Sequence, residues 1–271
     1  MAFIMLKSRW CSIKIELDKY YTPVDLARYC IDKTYNIIGK ENITDIIEPS
    51  AGNGAFSNRL ECVAYDIEPE YEGIIKQDYL QLDILYMKNR LVIGNPPYGT
   101  RNTLSVKFFK KSIEIADYIA FILPLSQLNN NIQMYEFDLI HSEDLNKRLY
   151  SGKQIHCCFN IYRRNSKGLN KKPNYKLLDV EVKEYRRKGT YKKPLKYDFG
   201  MCSWGSSTGK EIEHVGQYAQ ESYITVNNNK FKQQILDIMK NTEWKQPCIA
   251  TPKIQSWKIY KYIKEHIPNI Q

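Results

Sequence analysis

Short apolar runs separated by polar, turn-forming stretches dominate the first 165 residues. ITDIIEP (43–49), CVAYDIEP (62–69), GIIKQDYL (73–80), NRLVIGNPPY (89–98) and DYIAFILP (117–124) each hold a few apolar residues and reach a Pro, Asp or Asn at the end. Runs of that kind read as strands buried on both faces of a sheet. PVDLARYCIDKTYNII (23–38) and SVKFFKKSIEIA (105–116) have helical spacing instead, with Pro23 suited to a first turn. GAFSNRL (54–60) is expected to start a further helix. Strands alternating with helices predict an α/β fold with a mostly parallel sheet. YEFDLIHSEDL (135–145) and QIHCCFNIYRR (154–164) are read as an antiparallel pair closing its edge, with Cys157 and Cys158 on opposite faces.

The pattern changes after 165. NSKGLNKKPNYK and YRRKGTYKKPLK are basic, rich in tyrosine and punctuated by Gly and Pro. A boundary near 165 leaves 166–271, a stretch of small-domain size. Periodicity returns in FKQQILDIMK (231–240) and WKIYKYIKEHI (257–267), both read as helices. No internal repeat is visible.

Charge sharpens that division. Residues 1–150 carry 17 Lys and Arg against 20 Asp and Glu, and residues 151–200 carry 14 against 4. The net charge of +10 therefore belongs to the second half of the chain. A clustered positive segment is the footprint of a polyanion partner, although a solvated lysine-rich surface has the same composition. The longest strongly apolar run, YIAFILPL (118–125), is far too short to span a membrane. The start, MAFIMLKSRW, has its charges after its apolar residues, so it is not read as a signal peptide. Seven cysteines without a CxxC pair suit reduced thiols in the cytoplasm, and the four histidines show no metal-ligand spacing.

In an open parallel sheet, ligands bind at the carboxyl ends of the strands. The first strand here ends in Glu48-Pro49-Ser50-Ala51-Gly52-Asn53-Gly54, where the glycines allow a tight turn and a close backbone approach. The second ends in Asp66, able to accept from both hydroxyls of a ribose, and the third in Asp78, able to accept from an exocyclic amine. The fourth ends in Asn95-Pro96-Pro97-Tyr98. Any one of these is a weak signal; all four in order are a strong one.

EPSAGNGAF resembles the cofactor loop of S-adenosylmethionine-dependent methyltransferases, and NPPY resembles the catalytic motif of those that modify adenine N6. DKYYTP (18–23) is similar to the segment that precedes the glycine loop in gamma-type DNA adenine methyltransferases of restriction–modification systems. The resemblance covers roughly 18–165. It implies a Rossmann-like methyltransferase sheet in 1–165 and a small basic target-recognition domain in 166–271. It also implies S-adenosyl-L-methionine as cofactor and DNA as partner, with a cognate restriction endonuclease as a further candidate partner. Under it, Tyr21, Thr22, Ile67, Tyr79 and Phe108 join the strand-end residues as cofactor contacts, Phe109 competing with Phe108 and helix capping with Thr22. Phe159 is either a second aromatic stacking on the base or a core strand residue. Arg101, after the motif, is either a phosphate contact or an exposed loop residue. Arg186, Arg187, Trp204 and Lys210 are candidate nucleic-acid contacts, the last two in WGSSTGK, which lacks P-loop spacing and otherwise reads as a flexible hairpin.

The chemistry explains the tetrapeptide. The N6 lone pair of adenine is delocalised into the ring. Two acceptors aimed at the amine, the Asn95 side-chain oxygen and the Pro96 carbonyl on a donor-free Pro-Pro unit, favour its pyramidal form and face the developing charge with fixed dipoles. Tyr98 offers a face for an extruded base. Neither a metal nor a strong general base is needed. An RNA adenine methyltransferase, a protein glutamine methyltransferase and a non-catalytic cofactor-fold module are the rival readings. The motifs do not separate DNA from RNA, and a peptide substrate would not call for the basic segment.

Overall fold

β1 (Asp45–Glu48), β2 (Val63–Asp66), β3 (Ile75–Lys76), β4 (Arg90–Gly94) and β5 (Tyr118–Pro124) run parallel in the computed structural model. β6 (Asp138–Tyr150) and β7 (Lys153–Arg163) form a hairpin whose second strand pairs antiparallel with β5. The order across the sheet is β3-β2-β1-β4-β5-β7-β6, so the chain reverses its direction of travel at β1 and β4. The structure describes residues 20–150, 152–188, 192–244 and 252–271. The N-terminal start, the first two residues of DKYYTP and three residues of the basic segment (189–191) lie outside them.

Two helices cover the sheet, one on each face. α1 (Val24–Ile38) puts Leu26, Ala27, Cys30 and Ile31 against Leu91, Ile93, Ala120, Ile122 and Phe159. α2 (Thr103–Ile115) puts Phe108, Phe109 and Ile115 against Ile47, Val92, Ile119, Phe121 and Cys158. The alternation Leu91/Val92/Ile93 and Cys157/Cys158/Phe159 between these two cores is the two-residue period of a strand buried on both sides. Arg90 is buried in β4, its guanidinium bonded to the Asp45 carboxylate and to the carbonyls of Leu85 and Ile115, as a buried charge requires.

Two expected elements are different in form. The helix over 54–60 is a single 3₁₀ turn, Ser57–Arg59. Asn58 N–H bonds the Gly54 carbonyl and Arg59 N–H the Phe56 carbonyl, and the chain then extends at Leu60 into β2, leaving no length for an α-helix. The strand over 73–80 is only Ile75–Lys76, because Asp78 caps a 3₁₀ turn, Tyr79–Gln81, by accepting from Leu80 N–H. Among the parallel strands, only the β4-to-β5 crossover carries an α-helix.

By contacts the chain divides into Met1–Asn170 and Lys171–Gln271. The composition changes earlier, but Asn165 and Asn170 both donate to the Asp138 carboxylate (3.0 and 2.8 Å) and tie that stretch to the first unit. In the second unit β8 (Val180–Arg186), β10 (Gln220–Val226) and β9 (Phe199–Cys202) form an antiparallel sheet in that order. α3 (Lys232–Asn241) and α4 (Ser256–His266) share a core with one face of it, through Ile235, Met239, Ile259 and Ile263 against Val180, Met201 and Ile224. Glu221, fully buried in β10, accepts from Gly216 and Tyr218 N–H (2.9 and 2.6 Å) and from the Tyr223 hydroxyl. The five described cysteines are free thiols. Among the described residues no helix is long and apolar enough to cross a membrane, and no cluster of ligating side chains could hold a metal ion.

Candidate active site

The reversal of strand order opens a crevice at the carboxyl ends of β1, β2 and β4. A cavity of about 430 Å³ lies there, within the size range of cofactor pockets. It gathers Tyr21, Thr22, Glu48, Pro49, Ser50, Ala51, Gly52, Asn53, Asp66, Ile67, Asp78, Tyr79, the whole of Asn95-Pro96-Pro97-Tyr98, and Phe108.

The glycine loop is stitched to the end of β2. Gly52, at φ +52°, donates its N–H to Asp66 Oδ2 (2.7 Å), and Ala51 N–H bonds the Tyr65 carbonyl (3.0 Å). Gly54 does not line the cavity. It turns the loop at φ +80°, where a Cβ would come within 2.9 Å of the Asn58 side chain. Asp66 also accepts from Glu68 N–H (2.8 Å), so it braces the loop before any ligand reaches it. A carboxylate has about four acceptor sites, which leaves capacity for a ribose. Asp78 is exposed, with Oδ1 taken by Leu80 N–H (2.9 Å).

Glu48, at the end of β1, is almost fully buried, and Oε2 accepts from Ser57 N–H (2.8 Å). Burial pushes its pKa up to about 7, with the Asp66 charge adding and the hydrogen bonds from Ser57 and Phe56 opposing. Across the cavity, Tyr79 and Phe108 stack at 5.3 Å between centroids and 23° between planes. The Tyr79 hydroxyl is fixed on Ser112 Oγ (2.8 Å). Phe108 faces the cavity, and Phe109 points into the core, which separates the two neighbours.

The fourth strand end differs from these. Asn95 Nδ2 donates to Thr22 Oγ1 (3.1 Å) and to the Tyr20 carbonyl (3.3 Å). Its Oδ1 is buried and has no hydrogen-bond partner. The carbonyls of Asn95 and Pro97 accept from Ser50 Oγ and Ser105 Oγ, both at 3.3 Å. Among the described residues the Pro96 carbonyl receives no donor. The Tyr98 hydroxyl pairs with Cys157 Sγ (3.2 Å), and burial raises its pKa well above the usual phenol range, the thiol contributing. Tyr98 is thus a neutral, anchored aromatic. Thr22 does not cap α1, whose start has no side-chain cap.

The other expected residues have different surroundings. Phe159 has no accessible surface and packs in the α1-side core, so it does not form the second wall of a base slot. Arg101 is an exposed loop residue at φ +56°. In the second unit, Arg186 lies on the even-numbered side of β8, beside Glu184 (3.6 Å), whose Oε1 accepts from Ser256 N–H at the start of α4. Lys183 lies on the other side of β8 and is exposed, and Arg187 follows the strand in a turn, exposed, with its guanidinium donating to the Gly216 carbonyl (3.2 Å). WGSSTGK is a braced turn: Thr208 Oγ1 donates to the Gly205 and Pro252 carbonyls (2.7 and 3.2 Å), with Trp204 and the Lys210 side chain exposed. Tyr20, Phe56, Gln77, Leu80 and Leu104 also line the cavity, and Ser57, Ser105 and Ser112 brace it. Of these, Tyr20 belongs to DKYYTP and Phe56 to EPSAGNGAF. The serines carry no signal until the fold brings them to their partners.

No protein-family model matches the chain. Over 198 residues it is 25% identical to the Type II methyltransferase M.CvrRI of Paramecium bursaria Chlorella virus XZ-6E, covering 58% of this chain and 51% of that one. Over 102 residues it is 32% identical to M.HincII of Haemophilus influenzae, covering 35% of this chain and 20% of that one. Its curated relatives are Type II methyltransferases. The chain spans about half the length of the viral relative and a fifth of the bacterial one. Among solved structures, the type I restriction–modification methyltransferase subunit of Streptococcus thermophilus aligns with a TM-score of 0.40 at 10% identity, covering 93% of this chain and 57% of that one.

Proposed function

We propose that this chain is an S-adenosylmethionine-dependent methyltransferase that modifies N6 of adenine in DNA, with the second unit as its target-recognition region. The observation that carries the reading is the partnerless, buried Asn95 Oδ1. A buried polar atom left unsatisfied costs about 1–3 kcal/mol. That cost is understandable at a position where a ligand donor completes the bond. The Pro96 carbonyl is the second open acceptor, and two acceptors are what a primary amine on a planar ring needs to free its lone pair.

The lining suits the cofactor. Gly52 lets backbone approach, Asp66 and Asp78 offer carboxylate acceptors, and the Tyr79–Phe108 stack offers an apolar slot. When bound, the cofactor supplies an electrophilic methyl group. The chain's own part is to orient the amine with Asn95 and Pro96, to shelter it beside Tyr98, and to keep fixed dipoles around the charge that develops on nitrogen. Similarity to Type II methyltransferases and the basic excess after residue 150 support a DNA substrate. Free thiols at all five described cysteines suit a reducing, cytoplasmic setting.

The test is direct. Isotope-labelled S-adenosylmethionine is incubated with the protein and, separately, duplex DNA, single-stranded DNA, structured RNA and a glutamine-bearing peptide, and the products are digested and identified by mass. N6-methyladenine from DNA is the expected product. Label found only in RNA or peptide would replace the substrate, and label in none would defeat the reading.

A further inference from the structure

Asn95 can act as an acceptor only if its amide is held the right way round. Half a turn about the last side-chain bond exchanges Oδ1 and Nδ2 with almost no change of shape. The surroundings decide between the two. The Tyr20 carbonyl, 3.3 Å from Nδ2, can only accept. Thr22 Oγ1, at 3.1 Å, is the second acceptor, on a side chain that is 7% exposed and precedes Pro23 at the start of α1. A flipped amide would set oxygen against the carbonyl oxygen and turn the donor NH₂ toward the cavity, where it would repel the target amine.

We propose that Thr22 is a positioning residue for methyl transfer: its hydroxyl, together with the Tyr20 carbonyl, locks the Asn95 amide so that Oδ1 faces the amine to be methylated. The proposal rests on the reading above and assigns Thr22 a role other than the cofactor contact expected from its place in the chain. It also accounts for the pattern around the motif. Ser50 and Ser105 occupy the Asn95 and Pro97 carbonyls, and Leu104 N–H occupies that of Tyr98 (3.1 Å). The acceptors kept open are Asn95 Oδ1 and the Pro96 carbonyl, the pair assigned above to the target amine.

Thr22→Val keeps the β-branch and removes the acceptor, Thr22→Ser keeps the hydroxyl, and Thr22→Ala is a smaller variant for use if valine prevents folding. Removing a group that fixes a catalytic dipole should lower kcat on DNA by about tenfold or more for Val and Ala, with Ser restoring it to within a few-fold. Calorimetric affinity for S-adenosylmethionine should stay within a few-fold in all three. In an Asn95→Ala background, Thr22→Val should add almost nothing, because residues acting as one unit are not additive. A readout free of activity accompanies these: the Asn95 side-chain NH₂ resonances should shift and lose exchange protection in Thr22→Val and not in Thr22→Ser. Wild-type kcat in the valine variant, a loss of cofactor affinity that matches the loss of rate, or an undiminished effect in the Asn95→Ala background would overturn the lock. If the wild-type protein methylates no DNA, the functional reading fails by itself, and the resonances still decide whether Thr22 orients the amide.

Discussion

The cavity has two kinds of wall. On the β1, β2 and β3 side, each carboxylate is already engaged by the backbone: Glu48 by Ser57, Asp66 by Gly52 and Glu68, Asp78 by Leu80. On the β4 side, Asn95 Oδ1 and the Pro96 carbonyl are left open while their neighbours are occupied. The first wall is built to hold its own loops in place and receive a ligand over them. The second keeps acceptors in reserve, which is worthwhile only where a bond forms late. Binding and chemistry are thereby assigned to different strand ends.

The neighbours Phe108 and Phe109 give the largest expected effect. Phe109→Ala, in the core, should cost about 3–5 kcal/mol of unfolding free energy by denaturant titration. Phe108→Ala should weaken cofactor binding with a smaller loss of stability. The reverse assignment would mean that the aromatic slot is on the other face of α2. Next is Asp66→Ala, which removes a charged acceptor and frees the Gly52 N–H. Cofactor affinity should fall by about 1.5–3 kcal/mol in calorimetry, with kcat at saturating cofactor largely kept.

Glu48 makes the third prediction, and its sign is specific. Its folded pKa of about 7 stands above the ordinary 4.5, so the native state binds a proton that the unfolded chain has lost. The contribution to stability is full below pH 4.5 and is lost as pH rises through about 7. The hydrogen bond from Ser57 N–H survives in Glu48→Gln, whose amide oxygen can still accept it. Glu48→Gln should therefore flatten that part of the pH–stability curve relative to wild type, as followed by thermal melts, and an unchanged slope would remove Glu48 as its source. The smallest effect separates two adjacent arginines. Arg187→Ala should flatten the log–log salt dependence of duplex binding by about 0.9, the value for one phosphate contact, and Arg186→Ala, beside Glu184, should change it less.

Much of the first unit was legible because its strands are short, apolar and closed by chemistry-bearing residues. Pro23, the glycine loop and NPPY each declare a local geometry through a backbone restriction. The lengths of the crossovers were not legible. GAFSNRL has helical composition, but the pairing of β1 with β2 leaves it one 3₁₀ turn. Phe159 was ambiguous because a strand residue's face depends on register, and its pairing opposite Ile122 places it in the α1-side core. The bracing serines and the Cys157 thiol were silent because their partners are distant in sequence. In the second unit, the composition advertised charge, but only the end of β8 distinguishes Arg186, on the strand beside Glu184, from Arg187, in the turn that follows.

The division of binding and chemistry between the two walls is tested most directly in Asn95→Ala. Single-turnover methyl transfer to DNA and equilibrium affinity for S-adenosylmethionine are measured on the same preparation. The account predicts a rate lower by about a hundredfold or more, the scale for losing one preorganised dipole, with cofactor affinity within a few-fold of wild type. A near-normal rate, or an affinity loss as large as the loss of rate, would contradict it.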